Sequence, residues 1–531
     1  MGDTSAAGIE FRTSKGRVRG RRADDGVVAV LGVPYGAPPF GEGRFRPPRP
    51  AAGWSGTRDC TAFGPIAPQS ARLPGAPVWK PGDEDVLTLN VWVRPGAGAG
   101  PLPVLVWIHG GAYTFGSPAQ PDFDGAALSR AGVVVVSVGH RIGFEGFGHV
   151  PGFPDNRGLL DLAAALRWVR DEIAAFGGDP GRVTVAGQSS GAGAAVCLMA
   201  MEEARGLFHR VIAHSVPSAF FAPEVAAAVG SAVAAEAGVA ATADGLLSAR
   251  PERLVAAADR IAARCREGGP VAAVQAYNPV VFQPVIDGTV LAANPLDALA
   301  AGAARDVDLL VCHALEECWF LHRVGAISDV ASEAELDAFA RAFPLPAALP
   351  AAYREQMPQA PVRDRYLALF GDAQFGEYSS RLAERHARAG GRAHLSRFAR
   401  TRPVPDGRAR PWHTADVPFA FGNLDAEGAD FLLGGAPDAD DRALSARMVR
   451  AWADFAATGA PGWPALTPDA APVHHWAVPG DHVTDDVTAS GRRALWREIA
   501  FGPIRLPKPE IEPETEIQPG TEGRPSPLTG G

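Results

Sequence analysis

Two stretches carry residues whose types and spacing suit covalent catalysis. Val183 to Ala192 reads VTVAGQSSGA, so a β-type run enters Gly187-Gln188-Ser189-Ser190-Gly191 and small residues then open a helix. A serine on such a tight strand-to-helix turn sits in strained backbone, with its hydroxyl raised above the sheet. Both glycines are required, because a Cβ at either position would meet the neighbouring strand or helix. The helix N-terminus adds a partial positive field where negative charge would develop. His109-Gly110-Gly111-Ala112-Tyr113 follows an apolar strand and has the form of a donor loop, whose glycines let main-chain N–H groups approach a substrate oxygen. A simple glycine turn is the plainer reading of that loop. A serine hydroxyl also needs a base, and the base needs an orienting acid. Thirteen histidines are available for the first role.

The surrounding pattern predicts the elements that must hold these groups. Val104 to Ile108, Val133 to Val138, Val183 to Ala186 and Leu309 to Cys312 are near-continuous apolar runs, as in strands buried on both faces of a mostly parallel sheet. Gly158 to Ala175 places Leu159, Leu162, Leu166, Val169 and Ile173 on one helical face. Leu444 to Ala457 predicts a second helix, ended by Gly459 and Pro461. No internal repeat is visible. From Leu506 onward proline, glutamate and glycine dominate, which predicts a disordered tail over 506–531.

Composition narrows the class. With 531 residues, 47% of them hydrophobic, the chain can bury a large core, and disorder is excluded for most of its length. A rule of roughly 150 residues per domain suggests three or four domains. A net charge of −9 argues against a dedicated nucleic-acid binder. The first residues are polar, without an apolar h-region, and no run of about 18 apolar residues occurs; neither a secretory signal nor a membrane span is expected. Cys60, Cys197, Cys265, Cys312 and Cys318 are odd in number and irregularly spaced, which reads as buried thiols of a reducing compartment. The scarcity of lysine (Lys15, Lys80 and Lys508) against abundant arginine suggests a GC-rich genome.

Segments spread along the chain resemble the type-B carboxylesterase family of α/β-hydrolases. They include VPYGAPPFGEGRF from Val33, EDVLTLNVW from Glu84, the HGGA loop, FGGDP from Phe176, GLFHRVI from Gly206, PVIDG from Pro284 and WADFAATGAP from Trp452. The resemblance implies one α/β-hydrolase domain over 8–505, with a mostly parallel sheet flanked by helices and large loop and helical insertions. It also implies a triad in the order serine, acid, histidine. Ser189 is then the nucleophile. The acid falls in LLVCHALEECWF, at Glu317 when the strand and the following aromatics are aligned, with Glu316 as the competing register. The base falls at His413 in RPWHTADVPFAFGN, with Asp416 three positions on. The family context sets aside His140, His209, His313, His386 and His394, and also His474 and His475, placed in a late loop. Main-chain N–H groups of Gly111, Ala112 and Ser190 would hold the oxyanion.

Several positions depart from the family pattern. Ser190 stands where alanine is common, Gly139 and His140 replace Asn-Tyr, Leu162 replaces a common glutamine, and Val216 and Pro217 replace Gly-Ser. Ala67 and Val86 occupy the positions of the first family disulfide, so that bond cannot form. Trp79 invites comparison with the tryptophan that binds quaternary ammonium in cholinesterases. Its spacing to Val86 is shorter than theirs, and an ordinary loop tryptophan is expected. The implied activity is hydrolysis of carboxylic esters through an acyl-enzyme, on small-molecule substrates, in a cytoplasmic, bacterial setting. No metal or organic cofactor, nucleic acid or membrane partner is implied. Amidase, carbamate hydrolase or acyltransferase chemistry on the same groups stays open, as does a non-catalytic binding protein of cholinesterase type. Oligomeric state is not indicated.

Overall fold

The computed structural model describes residues 8–71, 77–96, 100–266, 277–343, 345–404, 407–485 and 492–506. The expected tail, apart from Leu506, lies outside the described residues. Among these, thirteen strands form one sheet. β1 (Ile9–Arg12), β2 (Arg17–Arg22), β3 (Val28–Pro34) and β5 (Thr88–Val93) lead in antiparallel, with β4 (Thr57–Asp59) beside β2. The centre follows in the order β7 (Val134–Val138), β6 (Leu102–Ile108), β8 (Gly178–Gln188), β9 (Arg210–His214), β10 (Asp308–Ala314), β11 (Ala393–Phe398) and β14 (Pro472–Trp476), all parallel. β15 (His482–Asp485) closes the edge antiparallel, and β12 (Arg402–Val404) pairs with β13 (Gly407–Ala409) apart from the sheet.

The four apolar runs noted above fall in β6, β7, β8 and β10, apart from Val133, which precedes β7, and each strand is buried on both faces there. Helices cover the two faces, as a parallel sheet demands. On one side, the helix Arg157–Glu172 turns Leu159, Leu162, Leu166 and Val169 into the core and tightens into a 3₁₀ turn at Ile173–Phe176. On the other, Trp107 of β6 lies 4.8 Å from Phe421 and 6.0 Å from Trp452 on the helix Ala439–Thr458. That helix begins five residues before the expected Leu444, because Asp438 and Asp441 form a capping box ahead of its apolar stripe. It ends at Gly459, whose φ of 77° only glycine adopts freely. His474 and His475 lie on β14 and not in a loop, a correction to the sequence reading. All five cysteines are free and buried.

Parallel strands put their carboxyl ends on one edge of the sheet. The ends of β6, β8, β9 and β10 are therefore adjacent, and β6, β8 and β10 each run directly into a segment carrying a candidate residue.

Candidate active site

Ser189 follows β8 and caps the helix Ser190–Ala200, with φ 55° and ψ −127°. A non-glycine residue with that backbone is strained and must be held by its surroundings. The flanking glycines show how closely the turn is packed. A Cβ on Gly187 would lie 2.4 Å from the Gly191 carbonyl, and one on Gly191 would lie 2.1 Å from the Ile108 carbonyl oxygen. The Ser189 N–H donates to the His214 carbonyl at 2.9 Å, tying the turn to the end of β9. Ser189 itself is only partly buried.

The HGGA loop lies against this turn, since a Cβ on Gly110 would come within 3.4 Å of Ser189 Cβ. Gly111, Ala112 and Tyr113 all have positive φ (123°, 53° and 57°), so the backbone coils tightly here. Among the described residues the N–H groups of Gly111 and Ala112 donate to no protein acceptor. The Ser190 N–H, in the first turn of its helix, has no intrahelical acceptor. Gln69 braces the loop through two bonds with Gly116, at 2.8 and 2.9 Å. Beneath it the rings of His109 and His140 lie 4.8 Å apart. Burial pushes His109 down to about 4 and holds His140 well below the usual histidine range, where the His109 ring adds to the effect.

Glu317 opens the helix Glu317–Arg323 just after β10 and is 2% exposed. Its Oε2 lies 2.6 Å from His413 Nδ1, while its Oε1 accepts from the Ser215 hydroxyl and the Ala314 N–H, each at 2.7 Å. Glu316 faces the other way and pairs with Arg408 and with Arg410. Of the two registers, Glu317 is thus the carboxylate at the histidine. The His413 ring packs on Phe375 at 4.4 Å, with Phe320 at 6.4 Å. Nδ1–H donates a hydrogen bond to the Glu317 carboxylate, which leaves the Nε2 lone pair to take up a proton. The group within hydrogen-bond reach of Nε2 is the Gln188 side-chain amide, at 3.2 Å, rather than the Ser189 hydroxyl.

The fold therefore gathers every candidate site residue at one sheet edge, at the ends of β6, β8 and β10 and in the loop leading to Phe421. Gln188, Ser215 and Gln69 also belong to this constellation and were not singled out for it from the sequence. Gln188 had one legible signal, its place inside the GxSxG turn. Chemically, the site offers a raised hydroxyl, a carboxylate-oriented imidazole and unpaired main-chain donors, the requirements of acyl transfer.

Comparison with known proteins points the same way. The profile of the carboxylesterase family matches residues 8–478. The chain is 34% identical to the para-nitrobenzyl esterase of Bacillus subtilis over 470 residues, 85% of this chain and 91% of that protein. It is also 34% identical to the fumonisin B1 esterase of Sphingopyxis macrogoltabida over 477 residues, 85% and 82% of the two chains. A carboxylesterase structure from Geobacillus stearothermophilus superposes with a TM-score of 0.79 at 33% identity, covering 92% of this chain and all of that one.

Proposed function

The chain belongs to the carboxylesterase family and is a carboxylic-ester hydrolase; from that premise we propose that Ser189, His413 and Glu317 are its catalytic triad, with the oxyanion held by the N–H groups of Gly111, Ala112 and Ser190. The observation that carries the proposal is the buried Glu317–His413 hydrogen bond, formed beside a serine held at positive φ. His413 Nε2 takes the Ser189 proton as Oγ attacks the ester carbonyl, and the tetrahedral oxygen gathers negative charge facing the main-chain donors. The C–O bond to the alcohol then breaks as His413 returns the proton to the departing oxygen, leaving an acyl-serine. Water, deprotonated by the same Nε2, attacks the acyl carbon. The acid leaves, and Ser189 recovers its proton.

Gly111, Ala112, Ser189, Ser190 and Glu317 lie just beyond strands of one continuous sheet, and His413 reaches them from a loop bonded to Glu317, which supports a single catalytic unit over 8–505. Five buried free thiols, with Ala67 and Val86 at the family's disulfide positions, support a reducing, cytoplasmic setting, and the bacterial relatives support a bacterial one. Among the described residues no helix is long and apolar enough to cross a membrane.

Ser189→Ala tests the proposal. Turnover of short p-nitrophenyl esters and covalent labelling by a fluorophosphonate should both disappear; retained turnover in that variant would overturn it.

A further inference from the structure

Behind the triad lies a second buried pair. His214, the last residue of β9, and Asp416, three residues beyond His413, are hydrogen-bonded through Nδ1 and Oδ2. They are 2% and 0% exposed, and the edge of the Trp452 ring packs on the His214 imidazole at 5.1 Å. The segments that carry the two residues each hold a strained backbone position. Ser215, next to His214, has φ 54°, and Thr414, next to His413, has φ 70°. For a β-branched threonine that conformation is especially unfavourable, so the loop must be held by contacts outside itself.

The pair is placed to supply that hold. The His214 carbonyl accepts the Ser189 N–H at 2.9 Å. Ser215, one residue on, donates its N–H to the Cys312 carbonyl and its hydroxyl to Glu317 Oε1, both at 2.7 Å. Asp416 starts the short helix that follows the His413 loop, and its carbonyl accepts the Ala420 N–H at 3.0 Å. One side-chain bond thus ties the segment that touches Ser189 and Glu317 to the segment that carries His413.

We propose that His214 and Asp416 are positioning residues, whose hydrogen bond locks the His413 loop over the nucleophile turn. This rests on the reading of Ser189 and His413 as nucleophile and base. The Cys312 sulfur lies within 4.8 Å of the facing atoms of both residues, so a metal ion held by the three is the competing occupant of this position. Against it, the bond between His214 and Asp416 is direct, and burial pushes the Cys312 thiol upward, which keeps it protonated.

The test uses the full chain, a p-nitrophenyl ester and active sites counted by fluorophosphonate titration carried to completion. His214→Leu removes the donor, whereas His214→Asn keeps an N–H near the Nδ1 position. Per titrated site, kcat should fall at least tenfold in His214→Leu with KM within about twofold, and His214→Asn should recover most of the loss. A purely structural role would lower the number of active sites and the melting temperature but leave kcat per site unchanged. Wild-type kcat per site in His214→Leu, or no recovery in His214→Asn, would overturn the proposal. Should His214→Leu fail to fold with Asp416 left unpaired, Asp416→Asn gives the same readout: a severalfold loss per site is expected, and none would overturn it. One equivalent of zinc in the isolated protein would overturn it as well. Failure of the triad itself is seen separately, as turnover in Ser189→Ala or as absent labelling of the wild type.

Discussion

The side-chain amide nitrogen of Gln188 lies 3.2 Å from Nε2 of His413, the ring atom opposite the one held by Glu317. The amide N–H donates to the neutral ring, so Ser189 must exchange with Gln188 before its own proton can pass to Nε2. A carboxylate at position 188 would invert this preference, because it accepts from the protonated ring and holds it charged. In Gln188→Glu the acid limb of the kcat/KM profile should therefore move to higher pH. A limb superimposable on that of the wild type would count against this role of the amide.

Glu317 has both oxygens occupied, one by His413 and the other by Ser215 and Ala314. Replacing it with glutamine keeps the shape, but removes the charge that orients the imidazole and stabilises its protonated form. Turnover should fall by about 10³ to 10⁴. Ser215→Ala removes one of two donors to the far oxygen and should lower kcat by roughly tenfold, about 1.4 kcal/mol. A ranking with Ser215→Ala the more damaging would exclude Glu317 as the orienting acid.

Gly191 closes the nucleophile turn, where an added Cβ would lie 2.1 Å from the Ile108 carbonyl oxygen and 2.7 Å from that of His109. Backbone on both sides leaves no flexible atom to yield. Gly191→Ala should push the helix Ser190–Ala200 off the end of β6 and abolish fluorophosphonate labelling. By contrast, Gly132, with nothing within 4 Å of an added Cβ, faces only the strain of its own φ of 91°, and Gly132→Ala should label normally. Labelling in Gly191→Ala at the wild-type rate would show that the turn has more room than its geometry allows.

What the sequence disclosed depended on how local the physics was. The GxSxG turn and the HGGA loop were readable because each glycine answers a steric demand within a few residues. The central strands were readable because burial on both faces leaves unbroken apolar runs. Glu317 was reachable only by aligning the strand before it and the aromatics after it, since neither it nor Glu316 differs in residue type. The helix at Ala439 began earlier than expected because its first turn is polar and held by a capping box. His474 and His475 read as loop because β14 is short and polar where it faces β15. Contacts such as Gln188 with His413, or His214 with Asp416, join residues more than 200 positions apart, and no local pattern encodes them.

Buried histidines should make the protein sensitive to mild acid. Burial pushes His109 down to about 4 and His313 to about 3, and His140 is also held well below its ordinary value. In the unfolded chain each titrates near 6.5. As pH falls below that value the unfolded state gains protons that the folded state refuses, so stability decreases, by about 2 kcal/mol per histidine between pH 7 and pH 5. Glu377 acts in the opposite direction. Burial raises it to about 7, despite the opposing effect of Arg493 at 3.1 Å, so its carboxyl takes up a proton in the folded state first and acidification favours folding there. Asp122, which burial raises to about 6, acts in the same direction as Glu377; three histidines against two carboxylates still leave a net loss, and the urea midpoint should be lower at pH 5 than at pH 7. His313→Asn should flatten that dependence, and Glu377→Gln should steepen it. A midpoint that rises on acidification, or a steeper slope in His313→Asn, would show that these imidazoles are not held neutral in the folded protein.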